Sequence, residues 1–148
     1  MSRPRYDWWQ TVRAYVRAYP GNCARIRELE QVSMTAACSG MPGGGGAVRT
    51  TEQVALRALS TWERTGYDAV HGAIRELMRR DINVYCAVLS MVDLVYWRKT
   101  DTFAGAALKL NYSERQIRRM NMDFLRLVGV HAGYLSREEY QRWRRERR

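Results

Sequence analysis

Lysine is nearly missing from this 148-residue chain: of its 25 basic side chains, only Lys99 and Lys109 are not arginine. Histidine is as scarce, and neither His71 nor His131 has a second histidine or an acid at ligand spacing, which argues against a metal site. Cys23, Cys38 and Cys86 are odd in number and show no paired spacing, so a disulfide framework is excluded as the basis of the fold. Small buried thiols in a reduced, cytoplasmic setting are the expectation, since no apolar signal segment opens the chain. The longest apolar run, from Ile82 to Trp97, is too short for a membrane span and contains Asn83 and Asp93. It reads as a buried helix, with no membrane partner. No paired carboxylates and no nucleophile beside a base stand out, so neither an enzyme nor a cofactor is expected.

What is abundant is positive charge. The formal net charge of +10 favours polyanionic partners, nucleic acid first and acidic membrane second. Charge of this kind raises affinity and association rate without choosing a sequence. Arginine is also the better fork for phosphate and for base edges, although a GC-rich coding sequence gives the same bias.

Helical periodicity recurs along the chain and sets the expected class as all-α, a helical bundle. Trp9, Val12, Val16 and Tyr19 share one stripe, and Pro20-Gly21 is expected to end that helix before a second one from Asn22 to Met34. Residues 1–38 thus read as an N-terminal helical hairpin for oligomerisation or partner binding. Residues 39–50, with Pro42 and four consecutive glycines, read as a flexible linker; they lack both the strand and the Gly-Lys-Ser/Thr of a phosphate loop. Residues 51–135 form the expected helical core. Thr50, the last linker residue, with Gln53 marks its first helix start, Gly66 a break, Tyr67 to Arg80 a further helix, and Val84, Val88, Met91, Val92 and Val95 the centre. Residues 136–148 are a basic C-terminal helix or tail: Ser136 and Glu139 fit a capping box, six arginines follow the cap, and Tyr140 and Trp143 suggest docking. Such an end either tracks phosphates or is solvated.

The stretch around which the rest is organised runs from Thr102 to Val128. Thr102 caps a short helix with Ala106, Ala107 and Leu110 facing inward, Asn111-Tyr112 turns, and Ser113 caps a second helix. On that helix Ile117, Met120, Phe124 and Leu127 recur every three or four residues and pack inward, while Arg115, Arg119, Met122 and Arg126 point outward. An exposed, arginine-rich helix start suits the major groove, where guanidinium pairs with guanine and Gln with adenine. The alternative is an ordinary helical hairpin with solvated arginines, and Gly105, Ala106 and Ala107, which permit a close, sharp crossing, count against it.

Thr102, Ala107, Leu110, Tyr112, Ser113 and Ile117 fit the pattern of the sigma-factor region-four and LuxR-type helix-turn-helix, which this segment resembles. The wider layout, with its Met41-Pro42-Gly43-Gly44 linker and an apolar helix ending near Tyr96-Trp97, resembles the RinA and ArpU families of phage late-gene transcription regulators. Gly105 and Gln116 depart from the usual residues. The resemblance implies a phage or prophage activator in a bacterial host cell that binds double-stranded DNA, with RNA polymerase as a second candidate partner and a homodimer as a candidate assembly. Carried over, Ser113, Arg115, Gln116 and Arg119 would meet bases, and Arg118 and Thr102 phosphates. Two alternatives belong to the same setting: an antitermination factor acting on polymerase, and a small terminase subunit that packages DNA.

Overall fold

The computed structural model describes residues 7–38 and 59–147, and every regular element in them is helical, as the all-α reading requires. In chain order these are α1 (Trp9–Cys38), α2 (Thr61–Arg80), α3 (Ile82–Val92) with a π-helical continuation (Asp93–Trp97), α4 (Phe103–Leu110), α5 (Glu114–His131) and α6 (Arg137–Glu146). The glycine-rich linker and the Thr50–Gln53 capping box lie outside the described residues.

The largest correction concerns the N-terminus. Pro20 does not end a helix; it sits inside α1, which continues for 30 residues where a hairpin was expected. Proline has no N–H to give the carbonyl four residues back. That carbonyl, on Val16, is instead met by the indole N–H of Trp97 at 2.9 Å. Nor is α1 a separate unit: Val12, Tyr15 and Val16 belong to the same core as α2, α3 and α5. Trp9 and Tyr19, on the stripe of the segment expected to serve oligomerisation or partner binding, pack against this core.

Gly66 is also no break. It lies within α2, which starts at a capping box formed by Ser60 and Glu63. A Cβ at Gly66 would fall 2.5 Å from Cδ1 of Tyr15, so the glycine makes room for the Tyr15 ring of α1 against α2. In α3, Val88, Met91 and Val92 are buried as expected, but Val84 is exposed and Val95 only half-buried. For Val95 the π turn supplies the reason: it adds a residue to the turn and rotates the side chains within and after it, whereas Val84 lies upstream in the first turn of α3. Leu94 and Tyr96 take the inward positions instead.

α5 is the central element. Its last turns, with Phe124 through Gly129 buried without a gap, are enclosed on every side, while Glu114, Arg115, Gln116, Arg118 and Arg119 in its first turns are exposed. A helix apolar or covered all round sits inside a bundle. One end of α5 is therefore anchored and the other presented.

Candidate nucleic-acid interface

The presented end is held by local chemistry that the sequence spells out. Thr102 accepts the N–H of Gly105 at 3.2 Å, fixing the start of α4. Beside it the Asp101 carboxylate receives the Lys109 ammonium at 2.8 Å. That lysine, followed by a hydrogen bond from Thr100, holds the Asp101 carboxyl below its usual range. A Cβ at Gly105 would lie 2.9 Å from Asp101 Oδ1, so the carboxylate packs closely against this glycine. Asn111 ends α4 in the left-handed region at φ 63°, which asparagine tolerates better than most residues. Ala106, Ala107 and Ile117 are buried, the last two in the common core, and Leu110 is half-buried, whereas Tyr112 is exposed.

Ser113 starts α5 through a reciprocal pair. Its Oγ accepts the Gln116 N–H at 3.2 Å, and Gln116 Oε1 accepts the Ser113 N–H at 2.9 Å. The side-chain oxygens of two expected base-contacting residues thus serve the helix start. Arg118 pairs with Glu114 at 2.6 Å and lies over the Phe103 ring, 5.2 Å from its centroid. Arg115 is exposed and forms no ion pair with any described acidic side chain.

The outward stripe Arg115, Arg119, Met122, Arg126 is not exposed along its length. Arg126 is only 5% exposed, and its guanidinium lies 4.5 Å from the Trp143 ring centroid of α6. It is a packing arginine, not a groove residue, because α6 docks over this side of α5. Met122 is half-buried, with Arg147 Nη1 at 3.9 Å from its sulfur. Arg119 is exposed and donates to the main-chain oxygen of Arg147. Of the eight candidate residues, then, Arg115, Arg118 and Arg119 gather their charge at the exposed end, Thr102, Ser113 and Gln116 shape it, and Met122 and Arg126 lie beneath α6.

Docking of α6 is the feature that sequence reasoning saw only in part. The Ser136–Glu139 capping box forms as expected. Tyr140 is fully buried, donating to Asp123 Oδ1 at 2.9 Å and accepting from Arg80 Nη1 at 3.1 Å. Burial and the nearby Asp123 carboxylate push the Tyr140 hydroxyl up to about 12. At the start of α6, Arg137 reaches Glu76, which also binds Arg80 and His131. Burial pushes the Glu76 carboxyl up, but hydrogen bonds from Arg137 and His131 and the charge of Arg80 outweigh it and hold the group below its usual range. Among the described residues no cluster of three His, Cys, Asp or Glu could hold a metal, and no helix is long and apolar enough to cross a membrane. Comparison of the chain with protein-family models, curated proteins and solved structures finds no match.

Proposed function

We propose that this protein is a sequence-specific double-stranded DNA-binding transcription regulator that enters the major groove with the first turns of α5. The observation that carries the reading is the contrast along α5: its last turns are enclosed in the core, and its first turns expose Arg115, Arg118 and Arg119. Rigid support with an exposed arginine fork is what base readout needs, since a loose side chain gives up discrimination to entropy. In this reading Arg115 and Arg119 are the base readers, and Arg118, which pairs with Glu114 and lies over Phe103, takes the phosphate role.

The net charge of +10 supports the choice of polyanion. The resemblance to RinA and ArpU regulators supports a late-gene activator of phage or prophage, working in the bacterial cytoplasm with RNA polymerase as its protein partner. Two base-reading arginines give modest discrimination, about 1–3 kcal/mol for each good pair. A symmetric pair of copies would double that set, with half-sites one helical turn apart.

Selection from a randomised duplex pool at moderate salt, with the solution mass measured alongside, tests the proposal. A sharp motif is the expected result, and a palindromic one adds the dimer. Tight binding without a motif overturns the regulator reading in favour of antitermination or DNA packaging.

A further inference from the structure

α6 turns back along α5. It begins at Glu76 with Arg137, crosses Asp123 with Tyr140 and Arg126 with Trp143, and ends with Arg147 against Met122 and Arg119. At about 1.5 Å per residue, its ten residues span about 15 Å and carry the chain to the exposed end of α5. Such a cover can act in two opposite ways, as a lid that blocks the reading helix or as an extension of its surface.

Charge decides between them. A lid that competed with DNA for Arg115 and Arg119 by charge would be acidic, and the contact the end of α6 makes to Arg119 is through the neutral main-chain oxygen of Arg147. From Arg137 to Arg147 the segment instead holds five arginines against Glu138, Glu139 and Glu146, and Glu139 is engaged in the helix cap. With Tyr140, Trp143 and Arg147 turned toward α5, the helical repeat puts Gln141, Arg142 and Arg145 on the opposite face. Together with Arg137 and Glu138 they line an open depression. Neither Arg142 nor Arg145 forms an ion pair with any described acidic side chain.

We infer that the outer face of α6 is a second DNA contact, at which Arg142 and Arg145 grip backbone phosphates of the duplex whose groove α5 enters. The inference rests on the reading of α5 as a DNA-binding helix. It makes the interface bipartite: α5 chooses the sequence, and α6 adds affinity that no base pair alters. Trp143 over Arg126 and Tyr140 between Asp123 and Arg80 are the pins that hold the second part in register with the first.

Salt titration of binding separates the outcomes, using the full chain, its selected duplex and a random duplex. Each phosphate contact contributes about −0.9 to the slope of log K against log salt. The R142A/R145A double variant should therefore flatten the slope by about 1.8 and weaken both duplexes equally, leaving their ratio unchanged. Glu138→Gln, on the same face, should tighten both. A double variant with the parent's melting temperature and an unchanged slope overturns the inference while leaving the α5 reading intact, and tighter binding by that variant overturns it in favour of a lid. Failure of the parent to bind any duplex removes both.

Discussion

Trp97 donates its indole N–H to the carbonyl of Val16, the acceptor for which Pro20 has no N–H to offer, across 81 residues of sequence. One hydrogen bond thereby lets α1 run on through a proline and ties it to the end of the π turn. Trp97→Phe should cost about 1–2 kcal/mol, the penalty for a carbonyl left unmet in a half-buried position. Pro20→Ala restores a local donor, so Trp97→Phe should cost less in that background. Urea unfolding of the four proteins gives the coupling, and additivity within error would show that the indole does not stand in for the missing N–H.

Two glycines inside helices should respond with opposite signs. Gly21→Ala meets nothing within 4 Å and should stabilise α1 by about 0.5–1 kcal/mol, the helix-propensity gain. Gly66→Ala drives a Cβ into the Tyr15 ring and should destabilise by about 1–3 kcal/mol despite the same local gain. Thermal melts of both variants are the check.

These positions also show what a sequence discloses. Helix starts are local, so Thr102, Ser113, and Ser136 with Glu139 were legible from residue type and spacing. Periodicity likewise placed Ile117, Phe124 and Leu127 inward. It could not say what would cover the other side of α5. Arg126 reads as outward because it faces away from α4, and only the return of α6, which brings Trp143 from 17 positions on, buries it. The rule that proline ends a helix failed at Pro20 for the same reason, since the compensating donor is distant in the chain. Gly66 misled because close approach between helices leaves the same mark as a break.

Arg126→Met should lower stability by about 2 kcal/mol, the scale of a desolvated cation–π contact, and loosen α6. Its effect on DNA should be indirect, weakening selected and random duplexes by the same factor. Loss of sequence choice in this variant would return Arg126 to the groove. Binding to both duplexes, with a urea melt of each protein, tells the two apart.

Glu76 gives the fold an acid sensitivity whose sign is fixed. Its carboxyl is held below the ordinary value of 4.5, so its stabilising effect is complete above that value and is lost as pH falls through the lower folded one. With a side chain only 13% exposed and Arg137, Arg80 and His131 around it, Glu76→Gln should cost about 1–3 kcal/mol at neutral pH. The gap between variant and parent should narrow below 4.5 in urea titrations. A gap independent of pH would mean that packing, not charge, is what Glu76 contributes.

The central claim is that the first turns of α5 read bases. Affinity of the parent and of Arg115→Ala for the selected duplex and for a random one, at a single salt concentration, tests it most directly. Loss of one guanidinium–base pair should reduce the preference for the selected duplex by about 1–3 kcal/mol, roughly five- to 150-fold, while random binding falls far less. Equal losses on both duplexes would make Arg115 a phosphate contact and contradict the claim.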